Sequence, residues 1–256
     1  MCGVKMIRII LSGACGKMGR AVAELVSNEP DCRIVAGVDV SGATYSYFPV
    51  LPKIGDVDEN ADVVIDFSHP SALSDTLDFC KSRQVPVVIA TTGHCESQVA
   101  EIKAAKEVIP IFFTGNMSLG INLMSNLARR AAQVLGNCYD IEIIEKHHNR
   151  KVDAPSGTAL MLAAALNEGR ENALSYTYDR HCVRQSREKN EMGIHSIRGG
   201  TIVGEHEIIF AGHDEILTLS HSALSREVFA SGALNAALFL ANKKGERGLF
   251  DMGDLV

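Results

Sequence analysis

From Met6 to about Thr114 the chain repeats one unit: a short apolar run rich in β-branched residues, a turn, and a helix-like stretch. The runs Met6–Ser12, Arg33–Asp39, Val63–Phe67, Val85–Ala90 and Ile109–Thr114 predict strands. The stretches at about Lys17–Ser27, Ser71–Ser82 and Ser97–Lys106 predict helices. Apolar strands separated by helices belong to a parallel sheet covered on both faces, because each crossover lays a helix across the sheet. The expected fold class is therefore α/β, built on a Rossmann-like, doubly wound cofactor domain.

The pattern changes after Gly120. Ile121–Leu135 reads as a helix whose apolar stripe is Leu123, Leu127, Ala131 and Val134. Ile141–Glu145 reads as a strand and Thr158–Leu166 as a helix. Ile202–Ala211 and Glu215–Ser220 read as two strands joined by a hairpin at Gly212-His213-Asp214. An α+β domain with antiparallel pairing is expected here, inserted as residues 119–226 between 1–118 and 227–256. The amphipathic stretch Arg226–Ala241 is long enough to pack back on the first domain. Glu168–Met192, charged and polar, is expected to be a mobile loop.

An apolar fraction of 46% over 256 residues is enough to build cores without disulfides or structural metal. A net charge of -6 argues against a general polyanion binder, so no nucleic-acid partner is expected. Cys2, Cys15, Cys32, Cys80, Cys95, Cys138 and Cys182 form no C-x-x-C pair and suit buried thiols in a reducing compartment. The opening MCGVKMIRIILSG runs straight into a glycine turn and so reads as a first strand rather than a signal peptide. No segment approaches the ~20 apolar residues of a membrane helix. A soluble, cytoplasmic protein with no membrane partner is the expectation.

The first predicted strand ends in Gly13-Ala14-Cys15-Gly16-Lys17-Met18-Gly19-Arg20 and passes into a helix. Residues without a Cβ permit a tight strand-to-helix turn, and the helix start then offers N–H groups to a pyrophosphate. The spacing is G-x-x-G-x-x-G rather than G-x-G-x-x-G, so the motif gains its meaning from the strand before it and the helix after it. Asp39, at the end of the second strand, is placed to hold a ribose hydroxyl. The strand ends at Ile65-Asp66-Phe67-Ser68 and Ala90-Thr91-Thr92-Gly93 point to the same crevice. Ordinary turn chemistry is the competing explanation for each of these ends.

Glu145-Lys146-His147-His148-Asn149-Arg150-Lys151 followed by Val152-Asp153-Ala154-Pro155-Ser156-Gly157-Thr158 is the most informative segment. A strand delivers two adjacent histidines, which point to opposite faces, then a lysine; a helix starts near Ser156. Imidazole suits proton transfer near neutral pH, lysine adds positive charge, and a helix start offers unpaired N–H groups. A pocket for a small carboxylate with an acid beside it is the expectation. A metal site lacks H-E-x-x-H spacing and any cysteine cluster, so none is expected. Ser156 lacks the G-x-S-x-G elbow of an acyl nucleophile. His206, His213 and His221 are assigned no chemistry.

At these residues the chain resembles the dihydrodipicolinate (4-hydroxy-tetrahydrodipicolinate) reductase family. EKHHNRKVDAPSGTA matches the family's E-x-H-H-x-x-K-x-D-A-P-S-G-T-A signature at every defining position. GACGKMGR, DFSHP, ATTG, GNMSLGIN, RGGTIVGEHEIIF and SREVFASGAL…GLFDM are similar to further family segments, so the likeness spans nearly the whole chain. The resemblance implies a homotetramer whose inserted domain binds substrate and joins subunits. It also implies reduction of a small cyclic dicarboxylate, 4-hydroxy-tetrahydrodipicolinate, to tetrahydrodipicolinate by NADH or NADPH, with loss of water, in lysine and diaminopimelate biosynthesis.

Carried over by residue, His147 is the acid/base and Lys151 the second proton donor, while His148, Lys151, Gly157 and Thr158 hold the substrate carboxylates. Gly13, Ala14, Cys15, Gly16, Lys17, Met18, Asp39, Ala90, Thr91, Thr92, Gly115, Asn116, Met117 and Ser118 hold the cofactor. Arg226 stands at the return hinge between domains. Two positions depart from the family pattern: Ala90 stands where glycine is usual, and Val40 where many members carry an arginine able to pair with a 2′-phosphate. Asp39 without that cation favours NADH. The competing functions are another amino-acid-pathway dehydrogenase, which leaves the His-His-x-x-Lys segment unexplained, and a non-catalytic dinucleotide sensor.

Overall fold

The computed structural model describes residues 6–43, 47–181 and 184–255. In chain order the elements begin β1 (Ile7–Ser12), α1 (Lys17–Ser27), β2 (Cys32–Val38), β3 (Val50–Leu51), β4 (Val63–Asp66) and α2 (Leu73–Arg83). They continue β5 (Val87–Ile89), α3 (Glu96–Ala105), β6 (Pro110–Phe113), α4 (Leu119–Leu135), β7 (Asp140–His147) and α5 (Gly157–Gly169). Last come β8 (Ser175–Thr177), β9 (Glu191–Arg198), β10 (Gly204–Ala211), β11 (Ile216–Ala223), α6 (Glu227–Ala241) and β12 (Gly248–Phe250). The chain divides into two compact units: Met1–Ser118 with Arg226–Val256, and Leu119–Ser225. Arg226 belongs with the first unit and stands at the N-cap of α6, one residue from the boundary read in the sequence.

The first unit is a seven-stranded parallel sheet in the order β12-β6-β5-β4-β1-β2-β3. The chain builds outward from β1 through β2 and β3, then returns to lay β4 on the other side of β1. That reversal opens a crevice at the carboxyl ends of β1 and β4, where such sheets bind ligands. One face packs on α1 and α6, with Val22, Val26, Ala233 and Ala237 against Ile9, Leu11 and Ile65. The other face packs Leu73, Leu77 and Ile102 against Ile10, Val64 and Val87. The central strands are apolar on both sides for this reason. At two and three residues, β3 and β12 are too short to leave a pattern in the sequence.

The second unit carries a five-stranded sheet in the order β11-β10-β7-β9-β8. The pairings β7–β10 and β10–β11 are antiparallel, whereas β7–β9 and β9–β8 are parallel. The sheet is therefore mixed, and the expected antiparallel pairing holds only for its hairpin side. β9 left no signal because Glu191–Arg198 mixes glycine, histidine and serine among its apolar residues.

The helix α4 lies where the periodicity predicts, but it faces the other way. Leu123, Leu127 and Val134 are exposed, and the buried face is Ile121, Met124, Ser125, Ala128 and Ala132. The reason is a close helix crossing: a Cβ on Gly169 of α5 would stand 2.5 Å from the Arg129 carbonyl oxygen and 3.0 Å from Ala132 Cβ. Backbones that approach this closely admit only small side chains between them, so the leucines turn outward.

Glu168–Met192 is likewise not the free loop expected. It holds the end of α5, strand β8 and the start of β9. Arg180 bridges Glu142 and Glu191, and Arg187 pairs with Asp140 and Glu142. Charge that reads as solvent-loving in sequence is here internal cross-linking. Cys182, like Cys2, lies outside the described residues. Cys32 and Cys80 are buried as expected of free thiols, but Cys95 and Cys138 are exposed. Among the described residues, no helix is long and apolar enough to cross a membrane.

Candidate active site

The glycine turn after β1 is made by backbone meeting backbone. Gly13 has φ +75°, and a Cβ there would overlap the Phe67 carbonyl after β4. A Cβ on Gly19, in the first turn of α1, would overlap the Gly13 and Ala14 carbonyls. Only glycine permits either approach. The turn's own N–H groups are largely used within the chain: Gly13 and Ala14 donate to the Val38 carbonyl, Gly16 to the Gly13 carbonyl, and Cys15 to Asp39 Oδ2 at 3.0 Å. Lys17 and Met18, the first residues of α1, have no acceptor within their helix, so their N–H groups are the donors aimed outward.

Asp39 holds its carboxylate between this turn and the residues that follow β2. Burial acts to raise its pKa; the Ser41 N–H and hydroxyl, the Cys15 N–H and the Arg20 charge outweigh that and leave it below the usual carboxylate range. A cleft of 700 Å³ opens beside it, lined by Gly13, Gly16, Asp39, Val40, Lys53 and His69 among others. A turn that a Cβ would fill and an ionised carboxylate on one cleft, next to the start of α1, fit a dinucleotide's phosphates and ribose.

The other strand ends are more internal than the sequence suggests. The Thr91 hydroxyl donates to the fully buried Asp66 carboxylate at 3.1 Å, so that side chain braces β4 against the end of β5. Ala90 N–H donates to the Asp66 carbonyl, and Thr92 is exposed. In the Gly115–Ser118 turn, Asn116 Oδ1 accepts from Ser118 N–H at 2.8 Å. Met117 is buried with its carbonyl packed on Gly232 of α6, where a Cβ would overlap it. The side chains of Thr91 and Met117 are structural, which leaves backbone groups as their only means of meeting a ligand.

In the second unit, β7 brings Glu145 and His147 to the same buried face, two residues apart. His147 Nδ1 lies 2.6 Å from Glu145 Oε2. Arg198 on β9 grips both carboxylate oxygens, Nη1 to Oε2 at 2.8 Å and Nη2 to Oε1 at 2.7 Å. Burial pushes the Glu145 carboxyl up, but Arg198 and His147 overcome it and hold it at about 2. For His147, burial lowers the pKa and Glu145 only partly restores it.

Ser156 caps α5, its Oγ accepting from Ala159 N–H and lying 3.1 Å from His206 Nε2. The His206 ring meets the His147 ring edge-on at 5.3 Å between centroids. Burial first, and the neighbouring His147 charge second, drive His206 down to about 4, so it is neutral.

Lys151, between β7 and α5, pairs with Asp153 at 2.9 Å. Burial opposes ionisation of Asp153, yet Lys151 and the Gly157 N–H hold its pKa below normal. Gly157 has nothing within 4 Å of the place where a Cβ would stand. His148, just past the strand, has a buried Nδ1 without a partner. Thus His147, His148, Lys151, Gly157 and Thr158 all fall at the end of β7 and the start of α5, as the signature implies. Sequence reading gave no role to Glu145, Arg198 and His206. The i, i+2 spacing of Glu145 and His147 was a usable signal; Arg198 and His206 reach the site from other strands and left none. Among the described residues, no group of three or more His, Cys, Asp or Glu side chains is placed to hold a metal ion.

The reversing parallel sheet, with its glycine turn and ionised strand-end carboxylate, is that of a pyridine-nucleotide-dependent oxidoreductase, and the second unit gathers the Glu145–His147 pair at the start of α5. The chain belongs to the dihydrodipicolinate reductase family: residues 7–117 match the model of its N-terminal domain and 120–256 that of its C-terminal domain. It is 51% identical to the 4-hydroxy-tetrahydrodipicolinate reductase of Caldanaerobacter subterraneus subsp. tengcongensis, over 98% of both chains. To the enzyme of that name from Clostridium novyi it is 47% identical, again over 98% of each. Among solved structures it resembles a dipicolinate-bound dihydrodipicolinate reductase from Paenisporosarcina sp. TG-14, with TM-score 0.77 and 28% identity, covering 96% of this chain and 97% of that one.

Proposed function

We propose that this chain reduces 4-hydroxy-tetrahydrodipicolinate to tetrahydrodipicolinate, with loss of water and oxidation of NADH or NADPH, in the cytoplasmic route to diaminopimelate and lysine. One observation carries the proposal: an imidazole anchored on a buried carboxylate at the strand end that leads, through Lys151, to an open helix start. The named relatives span its full length, and the solved relative holds dipicolinate, a cyclic dicarboxylate of the substrate's kind.

The net change adds one hydride and one proton and expels one water. The bound dinucleotide supplies the hydride. Lys151, His148 and the Gly157–Thr158 helix start take the carboxylates and fix the ring's orientation. His147, with Lys151 as the second donor, delivers the proton. In the free protein His147 is depressed and mostly neutral at pH 7, so the arriving dianion draws a proton onto it.

In the first unit, the Lys17 and Met18 N–H groups take the pyrophosphate and Asp39 the adenosine ribose, and Gly13–Gly16 leave the space. NADH is the favoured cofactor, because the exposed Val40 beside Asp39 brings no cation to a 2′-phosphate. The assembly is a homotetramer joined through the second unit, whose strand β11 leaves Ile216 and Leu217 exposed.

The decisive assay feeds the product of dihydrodipicolinate synthase to the purified protein with reduced dinucleotide. Cofactor oxidation dependent on that product is expected, and none would end the proposal. A higher kcat/KM with NADPH than with NADH would remove the cofactor preference. Sedimentation should give four times the 27.6 kDa chain mass, and a monomer would remove the tetramer.

A further inference from the structure

We infer that Glu145 is a positioning residue with two jobs: it fixes His147 as the Nδ1–H tautomer, and it anchors the start of α5. The second job bears on substrate only through the proposed function above.

The Glu145 side chain is fully buried and accepts hydrogen bonds from His147 Nδ1, Ser156 N–H at 3.1 Å, both terminal nitrogens of Arg198 and the Ser196 side chain. A carboxylate has about four acceptor positions, and here every one is taken. A bidentate arginine on a buried carboxylate keeps it ionised, so it can only accept. The ring proton of neutral His147 must therefore sit on Nδ1, because a bare Nδ1 would put two acceptors 2.6 Å apart. Protons are then gained and lost at Nε2 alone. That nitrogen is next to Gly204 of β10, where an added Cβ would stand 3.2 Å away.

The same carboxylate reaches across the loop to the N-cap of α5. Ser156 N–H donates to Oε1, and Arg198 Nη2 also donates to the Asp153 carbonyl at 2.7 Å. The loop from His147 to Ser156 is thus tied at both ends and once between to a single ion pair. Proton-transfer geometry and the carboxylate cradle share one support.

The groups facing His147 that bear on its titration are Glu145 on its own strand, Arg198 on β9, His206 on β10 and Lys151 in the loop. Of these, only Glu145 contacts Nδ1.

The first measurement needs no variant. Nitrogen-15 spectra of the intact wild-type protein, with the His147 signals assigned by their loss in His147→Gln, should show Nδ1 protonated and Nε2 bare above the ring's titration. A bare Nδ1 overturns the inference. In Glu145→Gln an amide N–H donor can face Nδ1, so the proton is expected to move to Nε2. The alkaline limb of the kcat profile should move with it, and kcat should fall on the order of 10²-fold. Glu145→Asp, which keeps the charge, should retain the Nδ1–H signal and recover part of the rate.

For the second job, Glu145→Gln should weaken pyridine-2,6-dicarboxylate binding about tenfold, the loss of one charge-assisted support. Dinucleotide affinity should stay unchanged. Unaltered dicarboxylate affinity would remove that job. A moved tautomer with wild-type kcat would leave the positioning role standing and instead defeat His147 as the proton donor of the proposed reaction.

Discussion

At the glycine turn of the first unit, carbonyls stand where side chains would be, and the turn keeps its shape because nothing larger than hydrogen fits at Gly13 and Gly19. At the β7–α5 loop of the second unit, shape comes from charge: a half-buried arginine and a fully buried carboxylate together tie down a histidine, a carbonyl and a helix cap. The two ligand-facing loops should therefore fail in different ways. A loop defined by sterics is indifferent to pH and intolerant of a methyl group. A loop defined by an ion pair on a buried carboxylate tolerates small changes of volume and fails when a proton is added or a partner removed.

The sharpest separation is expected from removing the acid. His147→Gln or Lys151→Ala should lower kcat by roughly 10²–10⁴-fold while dinucleotide affinity holds. Near-normal turnover in both variants would take these residues out of the chemistry.

Gly13→Ala should do the reverse. The overlap with the Phe67 carbonyl and the left-handed backbone together cost about 3 kcal/mol or more, read as a lower Tm and lost dinucleotide binding. A Gly13→Ala protein that bound NADH normally would show that the turn is looser than its contacts imply.

Acid should find the second unit first. Unfolded His206 takes up a proton near its ordinary 6.5, whereas the buried ring resists until about 4. The unfolded chain binds more protons in that window, so stability is lost as pH falls from 6.5 to 4, by roughly 3 kcal/mol. Glu145 adds a second loss between 4.5 and about 2, where the unfolded carboxylate protonates and the folded one does not. Tm measured against pH should flatten over the upper window in His206→Gln; an unchanged slope would assign the acid sensitivity elsewhere.

The smallest effect is expected at Gly204→Ala. A methyl 3.2 Å from His147 Nε2 leaves the tautomer intact but crowds the exchanging nitrogen, so kcat should fall by about tenfold or less. A full-rate variant would place the proton's path away from β10.

The same contrast explains what the sequence discloses. Sterically defined features are local: the glycines, Asp39 and the strand runs stand close together in the chain, and the alternation from β1 to β6 is legible apart from the two-residue β3. The His-His-x-x-Lys segment and the Ser156 cap are legible for the same reason. Arg198 and His206 are not, because a strand register brings them to Glu145 and His147, and register depends on partners far along the chain. The direction α4 faces was hidden by a related non-local fact. Periodicity marks Leu123 and Leu127 as one stripe, but the approach of Gly169 to Arg129 decides that Ala128 and Ala132 go inside. Arg180 and Arg187 made Glu168–Met192 look mobile because their carboxylate partners Asp140 and Glu142 lie on β7.

Asp153 has a role beyond its small size. Its carboxylate rests between the Lys151 ammonium and the Gly157 N–H, so the lysine's charge is met from within its own loop. Under the proposed function, a substrate carboxylate arriving at Lys151 would have to exchange places with this tethered competitor instead of meeting a bare cation.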